Sequence, residues 1–286
     1  MDQGLKYHLS DLLSESIIKV SPVLGGDISK AYRMDTPNSS YFLKLNPTGD
    51  ALKMFQTEAF GLQCIDNSNT IKTPKVVACG KVKGSAFLVM EFIESKPASS
   101  KDFETLGRQL AQLHQSSSKD FGLNHDNFIG SLPQSNTLHT NWSAFFAQER
   151  LGPQLELAKQ KHLLSNHECP TEQNITSVVE PLFKNIRPTL VHGDLWQGNY
   201  LISKCGTPYL IDPAVYFGHH EVDIAMTKLF GGFSNNFYTA YSSMIPNDEN
   251  TTIRLEIYQL YYLLVHLNLF GKLYYSNVMS ILKKYF

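Results

Sequence analysis

The sequence predicts an α+β fold with two lobes, a small N-terminal antiparallel sheet with one helix and a larger, mainly helical C-terminal lobe. Between residues 15 and 93, short apolar runs of strand length surround one segment with helical periodicity. A connector rich in Ser, Pro and Ala follows at 95–100, and helical patterns prevail beyond it. We therefore expect one lobe at residues 1–93 and a second at residues 94–286.

Composition limits the classes of partner. The chain has 286 residues, 42% of them hydrophobic, which suffices for a substantial core. A net charge of −1 provides no field that would attract nucleic acid or an anionic membrane. The four scattered cysteines favour reduced thiols, and neither a signal peptide nor a membrane span is evident. We expect a cytoplasmic protein with a small substrate, without nucleic-acid or membrane partners, and leave the oligomeric state open.

The first lobe contains a candidate ion pair. Three short apolar runs predict neighbouring strands, at 17–20, 31–34 and 41–45. Lys44 lies in the third strand, and Glu58 lies on an amphipathic helix predicted from Lys53 to Asp66. Such a pair would direct the ammonium group of the lysine onto nucleotide phosphates. Two ordinary solvent-facing charges are the alternative interpretation.

Two other segments are candidates for nucleotide contacts. Gly25-Gly26 between the first two strands allows backbone N–H groups to approach phosphates, and the expected contacts are Gly26, Ile28 and Ser29. A plain hairpin turn is equally compatible with these glycines. A buried strand predicted at 86–93 ends beside the connector, where an adenine ring could use backbone groups of Glu91, Phe92 and Ile93. A core strand ending in a loop is the alternative there.

The second lobe is predicted to combine helices with short strands around a loop. Helical patterns cover 102–115, 142–161, 221–230 and 253–275, whereas 121–136 is loop-like. An apolar strand at 188–191 leads into His192-Gly-Asp-Leu-Trp-Gln-Gly-Asn199. Two further strands, at 200–202 and 209–211, are joined by a turn containing Gly206 and should bring Asp212 beside Asn199.

The residues of this loop have the chemistry of phosphoryl transfer. Asp194 can accept the proton of an attacking alcohol, while the Asn199 amide oxygen and the Asp212 carboxylate are hard ligands suited to the Mg²⁺ that accompanies ATP. His-Gly-Asp alone is also a common turn, in which Gly permits unusual dihedrals and Asp bonds its own backbone. The strand before the motif and the second aspartate after it favour a kinase.

These residues resemble the fructosamine kinase, or ketosamine-3-kinase, family, which has the aminoglycoside phosphotransferase and protein-kinase-like fold. The resemblance covers nearly the whole chain. Besides the motifs above, it rests on Asp126-Asn127, Pro133-Gln134, Trp142, Phe145-Phe146, Arg150-Leu151, Ile211-Asp-Pro-Ala214, Leu229-Phe-Gly-Gly-Phe233 and His266-Leu-Asn-Leu-Phe-Gly271.

The resemblance implies ATP-dependent phosphorylation of the sugar 3-hydroxyl of fructosamines, giving an unstable ester that breaks down and frees the amine. It implies a base at Asp194, metal ligands at Asn199 and Asp212, and a phosphate-positioning pair at Lys44 and Glu58. The substrate residues that it implies are Trp196, Asp223, His266 and Asn268, of which Asp223 could instead brace the metal loop.

Two departures from the family pattern leave the acceptor open. His219-His220 replaces an acidic or Asp-Arg pair, and Val265 replaces a polar residue. A kinase for another sugar, an aminoglycoside or an amino alcohol is therefore an alternative. A catalytically silent nucleotide-binding protein is disfavoured, because the base and both metal ligands are present.

Overall fold

The computed structural model describes residues 3–23 and 29–286 and has the predicted α+β architecture. The elements of the N-terminal part are α1 (Gln3–Leu13), β1 (Lys19–Val23), β2 (Lys30–Asp35), β3 (Ser40–Asn46), α2 (Ala51–Asn67), β4 (Val76–Val82) and β5 (Ser85–Glu91). The strands form a five-stranded antiparallel sheet with the order β1-β2-β3-β5-β4. Helix α1 and strand β4 were not among the predicted elements.

Strand β5 explains the continuous apolar run that marks it in the sequence. Phe87 and Val89 pack with α1 residues on one face of the sheet, whereas Leu88 and Met90 pack with α2 residues on the other. Because side chains alternate between the two faces, a strand covered on both sides is apolar at every position. Helix α1 supplies Leu5 and Leu9 to this core, so its place depends on the sheet.

The remaining chain is mainly helical with short strands. Its elements are β6 (Ser95–Lys96), α3 (Ser100–Leu113), β7 (Asn127–Ile129), β8 (Leu132–Gln134), α4 (Trp142–Phe145), α5 (Gly152–Gln160), α6 (Glu172–Val179), β9 (Thr189–Val191), β10 (Tyr200–Ser203), β11 (Pro208–Leu210), β12 (Tyr216–Gly218), α7 (Glu221–Leu229), α8 (Asn235–Ser242), α9 (Thr251–Phe270) and α10 (Tyr275–Tyr285). A π-helical turn, Phe146–Leu151, joins α4 to α5. No helix within residues 3–23 and 29–286 is both long and apolar enough to cross a bilayer.

Two predicted segments differ from the structure. The single helix expected at 253–275 is interrupted after Phe270, because Gly271 has a φ of +83°, a backbone conformation that ends a helix and favours glycine. The segment 121–136, predicted to be a loop, contains the hairpin β7–β8. Its strands have three residues each, too short to show an alternating pattern in the sequence.

The hydrophobic clusters join the two parts of the chain. Ile65 at the end of α2 packs with Leu106 and Leu110 of α3 in one buried cluster, which also contains Leu195 of the predicted catalytic loop, residues 192–199. The largest cluster surrounds α9 with residues of α4, α5 and α7. The division at residues 93 and 94 stays a prediction.

Candidate active site

Short strands hold the loop that carries Asp194. Val191 of β9 pairs with Tyr216 of β12, and the backbone N–H of Ala214 donates to the carbonyl of His192 at 2.9 Å. Gly193 has a φ of +84°, and a Cβ at this position would lie 2.2 Å from the carbonyl oxygen of Ala214. Only glycine permits this close approach without strain. The segment that follows Asp212 is therefore packed directly against the catalytic loop.

The Asp194 carboxyl group lies in a low-dielectric site beside a second carboxylate. Burial and the negative charge of Asp212 raise the pKa of Asp194 to about 7, while a 3.3 Å hydrogen bond from Asn199 Nδ2 opposes this shift. A carboxyl group with this pKa can take up a proton near neutral pH, as a general base must.

Asn199 links both aspartates. Its Nδ2 donates to the backbone carbonyl of Asp194 at 2.8 Å and, more weakly, to that of Asp212 at 3.4 Å. In the part of the chain that the structure describes, its Oδ1 accepts no hydrogen bond, so this oxygen can serve a cation. Asp212 has a φ of +53°, which is uncommon for a residue with a side chain and indicates that its surroundings fix it.

Lys44 links the sheet, helix α2 and the loop between β11 and β12, residues 211–215, which we call the Asp212 loop. Its Nζ lies 2.8 Å from Glu58 Oε1 and 2.5 Å from Asp212 Oδ1. Burial alone would lower the pKa of Lys44, but attraction to Asp212 and Glu58 outweighs it and holds the pKa above its ordinary value. The structure thus brings the predicted ion pair and the predicted metal ligand into one charged cluster.

The donor set fits a hard divalent cation. Within residues 3–23 and 29–286, no group of three His, Cys, Asp or Glu side chains could hold a metal ion. The candidate set consists instead of the Asp212 carboxylate and the Asn199 amide oxygen, with Asp194 nearby. Magnesium accepts such an incomplete oxygen set, because phosphates and water complete its coordination.

The predicted nucleotide contacts are only partly placed. Gly26 and Ile28 lie outside the described residues, and Ser29 Oγ accepts a hydrogen bond from Asn46 Nδ2 at 3.3 Å. At the end of β5, the N–H groups of Glu91 and Phe92 are already bonded, to the carbonyls of Lys75 and Ser40. The N–H of Ile93 has no hydrogen-bond partner among the residues described. Of these three N–H groups, Ile93 therefore offers the free donor.

Of the four predicted substrate residues, two are accessible. Trp196 is 37% exposed, and His266 is half-buried, with its ring 4.7 Å from that of Phe230. One turn before His266, the Tyr262 hydroxyl donates to the carbonyl of Gly193, which places this part of α9 beside the catalytic loop. Substrate contacts at Trp196 and His266 stay a prediction.

The prediction that Asp223 and Asn268 contact substrate does not agree with this structure, because both side chains are buried. Asp223 is fully buried and accepts hydrogen bonds from the backbone N–H groups of His192 and Gly193, at 2.7 and 2.8 Å. It has the position of a brace for the backbone at His192 and Gly193, whereas the alternative predicted for it was a brace for the metal loop. Asn268 donates to Gln154 in the interior.

The partners of Asp223 were not predicted from the sequence. His114 Nε2 lies 3.0 Å from Asp223 Oδ2, and His114 Nδ1 lies 2.7 Å from the Tyr241 hydroxyl. The only signal in the sequence was the place of His114 near the apolar face of the predicted helix. His220 contacts the same hydroxyl, and His219 contacts that of Tyr258. The unusual His219-His220 pair thus belongs to an interior polar cluster, and Val265 is likewise buried.

Comparison with known proteins identifies the family of this chain. A model of the fructosamine kinase family matches residues 1–286. The chain belongs to the fructosamine kinase family. Among its relatives is a Lactiplantibacillus plantarum protein named "Probable ketoamine kinase", 39% identical over 98% of this chain and 99% of the relative. The chloroplastic protein-ribulosamine 3-kinase of Arabidopsis thaliana is 38% identical over 98% of this chain and 86% of its own length.

Solved structures extend the comparison to the fold. A protein from Haemophilus somnus 129PT, assigned as a fructosamine-3-kinase, superposes with a TM-score of 0.88 at 28% identity, covering 98% of this chain and 96% of that one. Aminoglycoside phosphotransferase APH(4)-Ia has a TM-score of 0.63 at 16% identity, covering 99% and 98% of the two chains. The second likeness concerns the fold alone. This fructosamine kinase family member therefore has the protein-kinase-like fold.

Proposed function

We propose that this protein is an ATP-dependent kinase that phosphorylates the 3-hydroxyl group of ketosamines, such as fructosamines, as a step in the repair of glycated amines. The convergence of Asp194, Asn199 and Asp212 opposite the Lys44–Glu58 pair carries the proposal. Two relatives named as a ketoamine kinase and a ribulosamine 3-kinase support the class of acceptor.

The nucleotide would lie between the sheet and the catalytic loop. The Ile93 N–H is a free donor for the adenine edge, and Lys44 is the cation that can reach the phosphates. Because Lys44 Nζ already lies 2.5 Å from Asp212 Oδ1, phosphate binding would have to share or replace this contact. Glu58, whose Oε1 lies 2.8 Å from Lys44 Nζ, would keep the ammonium group in place while phosphate shares or replaces the contact with Asp212.

Asn199 and Asp212 would hold Mg²⁺, which neutralises phosphate charge when it is bound. The amide nitrogen of Asn199 is occupied by backbone carbonyls, which leaves its oxygen for the cation. Asp212 has one carboxylate oxygen on Lys44 and a second oxygen without a hydrogen bond among the described residues. The Asn199 side chain is thus oriented through its amide nitrogen and the Asp212 side chain through the carboxylate oxygen that contacts Lys44.

Asp194 would act as the base. As the acceptor hydroxyl attacks the γ-phosphorus, its proton passes to the Asp194 carboxylate and ADP leaves with the electrons of the broken P–O bond. Phosphoryl transfer of this kind is accelerated mainly by alignment and charge, and a positioned base contributes roughly 10²–10⁴-fold. The exposed ring of Trp196 could cover the apolar face of the sugar.

An acceptor panel tests the proposal. Coupled ATP consumption is measured with fructosyl- and ribosyl-lysine analogues, an aminoglycoside and an amino alcohol, and ³¹P NMR identifies the product. We expect a sugar phosphate from the ketosamines only, and turnover by Asp194→Asn reduced by roughly 10²–10⁴-fold. A product from the aminoglycoside or amino alcohol alone would replace the proposed acceptor, and nucleotide binding without any phosphorylated product would refute kinase activity.

A further inference from the structure

A network of buried polar side chains lies beneath the Asp212 loop and takes part in none of the steps proposed for phosphoryl transfer. The side chains of Asn127, Gln134, Asn136 and Arg150 are 0–4% exposed. They come from the hairpin β7–β8, the residues after it and the π-helical turn, three segments without a proposed role in binding ATP or acceptor. We name these four residues, with Tyr261 of α9, the loop-support network.

Its hydrogen bonds run in one direction. Arg150 donates to Asn136 Oδ1 at 2.7 Å, Asn136 Nδ2 donates to Asn127 Oδ1 at 2.9 Å, and Asn127 Nδ2 donates to the carbonyl of Val215 at 2.8 Å. Because this chain of hydrogen bonds starts at a charged donor and ends at a backbone carbonyl, each hydrogen bond polarises the next one.

A second branch begins at α9. The Tyr261 hydroxyl donates to Gln134 Oε1 at 2.5 Å, and Gln134 Nε2 donates to Asn127 Oδ1 at 2.8 Å and to the carbonyl of Ala214 at 3.3 Å. Both branches therefore end on adjacent peptide groups, those of Ala214 and Val215. These groups follow Asp212 by two and three residues.

Arg150 is unusual among the buried charges. In the part of the chain that the structure describes, it pairs with no carboxylate. Its guanidinium carbon lies 3.9 Å from the ring centre of Tyr216 and 4.6 Å from that of Phe145. Aromatic faces and carbonyl oxygens thus stabilise its charge, and the charge strengthens the hydrogen bonds that leave it. The buried Nε of Arg150 has no hydrogen-bond partner among the described residues, so these contacts are made by its two terminal nitrogens and by the aromatic rings.

The Asp212 loop requires external support. Asp212 has a φ of +53°, which is strained for a residue with a Cβ and persists only where neighbouring contacts impose it. The loop-support network holds Ala214 and Val215 from one side. On the other side, the carbonyl oxygen of Ala214 lies against Gly193, beside the catalytic base. A shift of this segment would therefore move both Asp212 and the Asp194 loop.

We propose that the loop-support network positions the Asp212 carboxylate for Mg²⁺, so that Asn127, Gln134 and Arg150 act as positioning residues for metal binding. This inference rests on the proposed function through the metal role of Asp212. Contacts that orient the ligands of a metal typically change its affinity by about 10- to 100-fold when they are removed. A purely structural network would change stability and leave the metal dependence unaltered.

The experiment compares ADP binding with Mg²⁺ and with EDTA by calorimetry. Asn127→Leu removes the centre of the network, and Tyr261→Phe removes one buried hydroxyl at its edge. Thr251→Val is the matched control, because it also deletes a buried, hydrogen-bonded hydroxyl from α9, bonded to Glu221 rather than to the network. The quantity compared is the ratio of the two dissociation constants, with thermal unfolding as the measure of stability.

We expect Mg²⁺ to tighten ADP binding by the wild type, and Asn127→Leu to lose about tenfold or more of this gain while its affinity in EDTA changes little. Tyr261→Phe should lose a smaller part of the Mg²⁺-dependent gain in ADP affinity. If Asn127→Leu does not fold, the result for Tyr261→Phe tests the inference by itself. Thr251→Val should lower the unfolding temperature and keep the wild-type ratio. The inference would be overturned if Tyr261→Phe kept the wild-type ratio, or if Thr251→Val lost as much of the Mg²⁺-dependent gain as Tyr261→Phe. If Mg²⁺ had no effect on ADP binding by the wild type, the proposed metal site itself would be refuted.

Discussion

Asp194→Asn should make the folded protein more stable above neutral pH while it lowers turnover by orders of magnitude. The pKa of Asp194 is raised from 3.8 to about 7, because burial and Asp212 disfavour its charged form. The native state therefore binds this proton more tightly than the unfolded chain does. Stability contributed by the protonated group is complete below pH 3.8 and is lost as pH rises through about 7.

The size of the effect follows from the two pKa values. Each pH unit between 3.8 and about 7 corresponds to about 1.4 kcal/mol, so ionised Asp194 costs at most about 4 kcal/mol of unfolding free energy. Asparagine has nearly the same shape and no charge, which removes this cost. The stability difference between variant and wild type should grow as pH rises and level off above about pH 7.

Urea unfolding without nucleotide or metal measures this difference between about pH 4 and pH 8.5. Asp66→Asn, which makes the same change of residue type at an exposed position of α2, is the control. In parallel, steady-state assays should show kcat reduced by roughly 10²–10⁴-fold with MgATP affinity retained. A variant that is less stable at all pH values, or a difference independent of pH, would refute this account of Asp194.

Three further substitutions test other parts of the site. Lys44→Met leaves the largely buried Glu58 carboxylate and the partly exposed Asp212 carboxylate without their shared cation, so urea unfolding should show a loss of about 3 kcal/mol, with ATP affinity falling in calorimetry. Gly198→Ala places a Cβ 2.4 Å from the Trp196 ring and should displace this ring. The KM for acceptor should then rise while the KM for ATP is unchanged. Equal changes in the two KM values would argue against a substrate role for this ring. Asp223→Asn weakens two charge-assisted hydrogen bonds to the catalytic loop and should cost about 2 kcal/mol of stability, and an unchanged melting temperature would contradict its bracing role.

Patterns that span several residues of one element were predictable from the sequence. Strand β5 is apolar at consecutive positions because both of its faces are covered, and α2 has apolar residues at helical spacing. Helix α1 was not found, since its docking depends on contacts of Leu5 and Leu9 with the sheet. The division of 253–275 at Gly271 was also missed, because isolated glycines are tolerated in helices and the sequence does not show the sign of φ.

Within the site, residue type predicted chemistry better than it predicted exposure. Asp194, Asn199 and Asp212 are close in sequence, and the intervening strands β10 and β11 bring them together as their spacing suggested. Asp223 and Asn268 have equally polar side chains, yet both are buried among other polar groups. A polar residue next to a motif can serve substrate or scaffold, and only its neighbours in space distinguish these roles.

The sequence by itself determined the chemical groups and their local order: an aspartate in a glycine turn, an amide five residues later and a second aspartate after a hairpin. Tertiary structure decided which distant groups meet them. Lys44 reaches Asp212 across 168 residues, and Asn127 supports Val215 across 88. Local patterns follow from backbone geometry within one element, whereas such contacts depend on how whole elements pack, which no short segment encodes.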